Sequence, residues 1–103
     1  MKYLVSMTFR LNGSATDNEA AARRILDLYS KWTPPDGTTF HQFVGRVDGG
    51  GTFAVIETDN PADLAATTSK FGPYVEYEVH PVLDIVDSVR VAQEAIEFRE
   101  SIG

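Results

Sequence analysis

A cluster of turn residues, Asp48-Gly49-Gly50-Gly51, separates two β-like runs within residues 38–58. Tight hairpin turns need positive φ angles, and glycine adopts them without a Cβ clash. The runs on either side are rich in aromatic and β-branched residues, which are typical of strands. This stretch therefore predicts an antiparallel β-hairpin.

Two registers of this hairpin are open. A two-residue turn at Gly49 and Gly50, or a four-residue loop at 48–51, pairs three sets of residues on one face: Gly45 with Ala54, Phe43 with Ile56 and His41 with Thr58. We expect a helix to cover this face, because small residues at 45 and 54 would allow a close approach. The opposite face would carry Gln42, Arg46 and Glu57, which makes it the candidate functional face. A three-residue loop would shift the register by one and place His41 opposite Glu57.

The remaining elements follow from periodicity and from helix-ending residues. Apolar residues alternate over residues 2–10, which predicts a strand. A capping box of Thr16 and Glu19 opens a helix that Thr33-Pro34-Pro35-Asp36-Gly37 ends. Further along, the pattern predicts a short helix at 61–69, a long strand at 74–85 and a final helix at 86–102.

Composition excludes several classes of protein. A chain of 103 residues predicts a single domain, 1–103. Its net charge of −6 argues against nucleic acid and anionic membrane surfaces as partners. It has no cysteine, no apolar run of roughly 18 residues and no signal-peptide pattern at its start, so we expect a soluble cytoplasmic protein.

Two apolar surfaces predict a homodimer. The only helices expected to pack on the sheet lie on one face, which leaves Leu4, Val44, Phe53 and Val55 uncovered on the other. Apolar residues of the final helix cover about half of its circumference, more than the stripe that one sheet face buries. A second copy of the chain is the simplest partner for both surfaces.

The element order β-α-β-β-α-β-α predicts an α+β fold, ferredoxin-like with an extra C-terminal helix and an antiparallel sheet. The stretch FAVIETDNPADLAATTSKFGPYVEYEVHPVLDI resembles the dimeric α/β-barrel superfamily, which includes YCII-like, stress-responsive and antibiotic-biosynthesis monooxygenase domains. The segments KYLVSMTFR and KWTPPDGTTFHQFVGR look closest to one of its uncharacterised families of bacterial proteins. The resemblance implies a dimeric barrel, and it transfers the fold but not the chemistry.

The resemblance leaves three hypotheses for function. The first is a pocket for a small, partly apolar organic ligand, with Trp32 and Phe71 as walls and with Gln42 and Arg46 orienting an oxygen. The second is a cofactor-independent monooxygenase- or isomerase-like enzyme that uses Glu57, His41 or His80 for proton transfer. The third is a non-catalytic interaction or stress-response module, in which the same polar groups form an interface and Trp32 is a core-edge aromatic.

We expect no metal and no cofactor. The two histidines, His41 and His80, occur in no HxH, HxxxH or HExxH spacing. No G-x-S-x-G turn is present, and no GK[ST] sequence follows the glycine cluster, so neither a nucleophile elbow nor a phosphate loop is predicted.

Overall fold

The computed structural model describes residues 1–103. Its elements are β1 (Lys2–Phe9), α1 (Ala15–Lys31), β2 (Thr39–Gly45), β3 (Gly51–Glu57), α2 (Pro61–Phe71), β4 (Val75–Val82) and α3 (Ile85–Ser101). The strands form one sheet in the order β2-β3-β1-β4, and every neighbouring pair is antiparallel. The predicted fold class, ferredoxin-like α+β with an added C-terminal helix, is confirmed.

Strand β1 lies in the middle of the sheet and separates its two faces. Tyr3 and Val5 point to the face that carries α1 and α2, and both are buried. Leu4, which alternates with them, pairs with His80 of β4 on the opposite, open face. The alternation in the sequence therefore identifies which side chains enter the core.

The hairpin register differs by two residues from the register expected for a turn centred on Gly49 and Gly50. Gly45 pairs with Thr52, and Phe43 pairs with Ala54. The loop comprises residues 47–50, since the Arg46 N–H donates to the Gly51 carbonyl at 2.8 Å. A shift of two residues keeps every side chain on its predicted face, because the period of a strand is two.

A β-bulge at His41 corrects both expected registers for this residue. Phe40 pairs with Ile56 and Gln42 pairs with Val55, so His41 is an extra residue with no partner of its own. The bulge places His41 beside Glu57, the contact expected only for a three-residue loop. The contact therefore arises from an inserted residue rather than from the length of the turn.

Some element boundaries also differ from the predictions. Helix α1 begins one turn position earlier, because the Ser14 hydroxyl, and not that of Thr16, accepts a hydrogen bond from the Asp17 N–H at 3.1 Å. Glu19 forms an ion pair with Arg23 instead of closing a capping box. Strand β4 ends at Val82 rather than at residue 85, and α2 continues to Phe71 rather than stopping at 69.

The buried core of the single chain is small. It consists of Tyr3, Val5, Ala54, Ile56 and Leu64, with Val75 also buried. Helices α1 and α3 bury no residue at all.

The chain is elongated, with extents of 64 × 30 × 20 Å and a radius of gyration of 18.2 Å. A compact domain of this length has a radius of gyration of about 13 Å. Helix α3 is about 26 Å long and fully accessible along its apolar side, so it accounts for much of the elongation. None of the three helices combines the length and the apolar character needed to span a bilayer.

Candidate functional site

A cavity of about 370 Å³ lies between the helix-covered face of the sheet and helices α1 and α2. Fifteen of its nineteen lining residues are hydrophobic, and none carries a charge. The strands contribute Val5, Met7, Phe9, Phe40, Phe43, Val44, Gly45, Thr52, Ile56, Val75 and Tyr77; the helices and the end of α1 contribute Ile25, Leu26, Tyr29, Trp32, Leu64, Thr67, Thr68 and Phe71.

The cavity exists because α1 stands away from the sheet. Ile25, Leu28 and Trp32 recur at helical spacing and face the sheet side, yet none of them is buried. Gly45 was expected to permit a close helix approach, but a Cβ added there would meet no atom within 4 Å. This interpretation of Gly45 was wrong: the space beside it belongs to the cavity and not to a helix.

Five aromatic rings form one wall of the cavity. Trp32 is at the centre of this aromatic wall, with ring centroids 5.5 Å from Phe40, 6.1 Å from Phe71 and 6.1 Å from Tyr29. Phe43 lies 5.4 Å from Phe40 and 6.2 Å from Tyr29. The contacts of Trp32 with Phe40 and Phe71 are edge-to-face, a favoured geometry for aromatic pairs.

The polar groups of the cavity are few, and its threonine hydroxyls have partners within the chain. The Thr67 and Thr68 hydroxyls donate to backbone carbonyls of their own helix at 3.2 and 3.1 Å, and the Thr52 hydroxyl donates to the Met7 sulfur at 3.2 Å. Trp32 Nε1 differs from them, since it is buried and bonds to no atom of the chain. Burial raises the pKa of Tyr77 to about 12, so the cavity contains no charged group at neutral pH.

The structure divides the predicted site residues between two faces. Trp32 and Phe71 line the cavity, as the pocket hypothesis requires. His41, Glu57, His80 and Gln42 all belong to the open face. Arg46 follows β2 in the hairpin loop and forms an ion pair with Asp48. The chain by itself therefore does not bring the acid–base candidates together with the aromatic walls.

One pair on the open face has the geometry of a proton-transfer couple. His41 Nε2 and Glu57 Oε1 are 2.6 Å apart, and both side chains are exposed by close to half. His80 lies on β4, across the sheet from β2, and its Nε2 is 3.6 Å from Glu78 Oε2. Because β2 and β4 are separated by three strand spacings, roughly 14 Å, the two histidines cannot act on the same small molecule within one chain.

The open face also includes an ion pair that the sequence analysis did not predict. Lys2 Nζ donates to Asp84 Oδ1 at 2.8 Å, and Lys2 pairs with Glu57 across β1 and β3. The hydrogen bond from Lys2 holds the pKa of Asp84 below its usual range, and the same bond raises the pKa of Lys2. Asp84 had been assigned to a strand, which hid its role as the residue that joins the start of α3 to β1. No three His, Cys, Asp or Glu residues are grouped so that they could hold a metal ion.

Several cavity residues were not among the predicted site residues, notably Tyr29, Phe40, Phe43 and Tyr77. Their apolar spacing indicates that they face the interior. The same pattern describes a filled core and a cavity wall, so the sequence carried no signal that separates the two.

Fold and cavity together define a ferredoxin-like α+β domain with an apolar chamber between its sheet and its helices. The chain belongs to the family described as domain of unknown function DUF3303, whose model matches residues 1–96. This match confirms the expectation of an uncharacterised family. A search of curated proteins finds no match to this chain.

Proposed function

We propose that this protein binds a small, neutral and largely apolar organic molecule in the cavity, and that it does so as a homodimer. The observation that carries the proposal is the cavity of about 370 Å³ with fifteen hydrophobic lining residues. Small-molecule sites in proteins typically occupy about 300–1,000 Å³ and are predominantly apolar, with a few polar groups.

Packing supports a ligand site rather than an ordinary void. Domain interiors are close-packed, and voids larger than a water molecule are few. Here the apolar side of α1 remains accessible across from a sheet face that includes the buried Val5 and Ile56. A ligand between these layers would complete dispersion contacts that the chain does not make by itself.

The cavity favours binding over acid–base catalysis. Glu57, His41 and His80 lie on the opposite face of the sheet, and no titratable group other than tyrosine lines the cavity. A catalytic base must lie within hydrogen-bond reach of the proton it removes. The pair His41–Glu57 is instead placed to take part in contacts across the open face.

The open face and α3 support a homodimer. Leu4, Val44 and Phe53 are 37%, 50% and 41% exposed on the open face. On α3 the exposed apolar side chains are Ile85, Val86, Val89, Val91, Ile96, Phe98 and Ile102. Most closed assemblies of identical chains have twofold symmetry, and a twofold arrangement would cover both copies of each surface at once.

The experiment that tests the ligand site is a titration with a neutral apolar fluorophore, N-phenyl-1-naphthylamine. Trp32 is the only tryptophan and lies in the cavity wall, so its emission reports occupancy of the site independently of the dye. We expect saturable binding with one dye per chain. Gly45→Leu should block it, because a side chain at this position enters open space within the cavity.

Thr39→Leu is the matched control, since it adds a leucine at the other end of the same strand, where Thr39 pairs with Glu57 outside the cavity. This variant should bind the dye as the unchanged protein does. Thr68→Phe gives a second block from the helix side of the cavity. Unchanged dye binding in both blocked variants, with native circular dichroism, would refute the cavity as the ligand site.

A further inference from the structure

We infer that the ligand carries a neutral hydrogen-bond acceptor, such as a ketone, aldehyde or ether oxygen, which accepts a hydrogen bond from Trp32 Nε1–H. This inference rests on the proposed function and specifies the ligand for the same cavity. It follows from the only buried side-chain nitrogen in the chain that lacks a partner.

The position of Trp32 explains why its Nε1 has no partner in the chain. Trp32 follows the last turn of α1, where its backbone N–H donates to the Tyr29 carbonyl at 3.2 Å. Its ring is surrounded by Tyr29, Phe40 and Phe71, of which the two phenylalanines offer no acceptor atom. The three threonine hydroxyls of the cavity already donate to other atoms.

An unpaired buried donor is costly, and a ligand that pairs it gains specificity. Desolvating an N–H group without a partner opposes folding, whereas supplying an acceptor removes that penalty. A site built around such a donor also discriminates against analogues that lack the acceptor, because they leave the donor unpaired.

The acceptor must be neutral. No lysine, arginine or histidine lines the cavity, so a carboxylate or phosphate would lose its hydration without gaining a counter-charge. The pKa of Tyr77, raised to about 12 by burial, shows that ionisation in this environment is unfavourable. Anionic ligands are therefore excluded from the class, whereas carbonyl and ether compounds fit it.

Two probes of nearly the same shape test the inference: 2-acetylnaphthalene, which has a carbonyl oxygen, and 2-ethylnaphthalene, which has none. With one tryptophan, the protein gives one indole N–H signal in a proton–nitrogen correlation spectrum. The ketone should move this signal downfield, as expected for a new hydrogen bond, and the hydrocarbon should not. Equal shifts with the two probes would overturn the inference.

Competition with the neutral dye supplies an independent readout. In Trp32→Phe, which keeps an aromatic ring and removes the donor, the affinity for the ketone should fall roughly threefold to tenfold. The affinity for the hydrocarbon should change less than twofold, a bound that marks the limit of an ordinary packing effect. Phe71→Leu is the control, because it alters the same wall without touching a donor and should affect both probes alike.

The outcomes separate the two proposals. If both probes displace the dye but Trp32→Phe leaves their affinity ratio unchanged, the cavity binds ligands and the donor has no role in selecting them. If neither probe nor dye binds, the proposed function fails and this inference fails with it.

Discussion

Single residues of this protein show how local bonding overrides simple sequence rules. Asp84 occupies the N-cap of α3, yet its side chain makes no capping hydrogen bond. It accepts instead from Lys2 Nζ, 82 positions away in the chain. The first-turn N–H groups of Asp87 and Ser88 turn to the Asp84 backbone carbonyl. A side chain with two possible partners was thus decided by the distant one.

The signs of the two pKa shifts define where this ion pair acts. The pKa of Asp84 is lowered, so its contribution is present above the ordinary value of 3.8 and is lost as the pH falls through the lower folded value. The pKa of Lys2 is raised, so its contribution is present below 10.5 and is lost as the pH rises through the higher folded value. The pair therefore persists across the neutral range.

Tyr77 provides a residue-scale prediction for alkaline pH. Burial raises its pKa from 10.0 to about 12, so between these values the unfolded chain ionises this phenol and the folded chain does not. The folded state then binds more protons, and the free energy of unfolding should fall as the pH rises from 10 to 12.

Absorbance at the phenolate band should show one of the four tyrosines titrating later than the others, and Tyr77→Phe should remove that late component. Tyr74→Phe is the matched control and should leave it in place. A Tyr77 that titrates together with the remaining tyrosines would contradict the burial argument.

At the scale of elements, one glycine sets the hairpin register. A Cβ on Gly51 would lie 1.9 Å from the Met7 carbonyl oxygen in β1, closer than any real contact. Gly51 is therefore a strand residue that lets β1 and β3 approach, rather than part of the turn. Gly49, with φ of 75°, supplies the left-handed conformation that the loop needs.

This difference between glycines is testable in stability. Gly51→Ala should lower the free energy of unfolding by about 1–3 kcal/mol, because the two strands must separate to accommodate the methyl group. Gly45→Ala is the control: its added methyl group meets nothing within 4 Å, so it should be neutral or stabilising by about 0.4–1 kcal/mol. Urea unfolding measures both, and equal effects would show that the β1–β3 approach is not limiting.

At the scale of the whole molecule, the surfaces left uncovered exceed what one chain can bury. Only nine of 103 residues are buried, and α3 contributes none of them. A stable interface needs about 800 Å² from each subunit. The open face and α3 together offer a continuous choice of apolar side chains for such an interface, which explains why the single chain is so extended.

We predict a homodimer in solution. Light scattering behind size exclusion should give twice the chain mass of 11.3 kDa at micromolar concentration. Val89→Glu should shift the mass toward the monomer, because it places a charge among exposed apolar residues of α3. Gln93→Glu adds the same charge at a polar position of the same helix and should remain dimeric. A monomeric unchanged chain would require another partner for α3 and would remove the barrel arrangement.

Patterns with a fixed period were sufficient to predict the element order, the fold class and the face of each strand residue. Strand alternation and helical spacing are local, and they assign Tyr3 and Val5 to the core and Ser6 and Glu78 to the open face whatever the details of packing. Even the error of two residues in the hairpin left these faces unchanged. The same patterns singled out Trp32 and Phe71, since aromatic residues at helix ends on the apolar side must face the sheet.

Tertiary structure alone decided the bulge at His41, the bond from Lys2 to Asp84 and the cavity itself. Each depends on distances between segments that are far apart in the chain, and no local period encodes such distances. A helix that packs tightly on a sheet and one that stands off by the width of a small molecule present the same apolar spacing. The sequence by itself therefore determined which residues face inward, whereas the separation of α1 from the sheet determined that they enclose a site and leave the Trp32 donor unpaired within it.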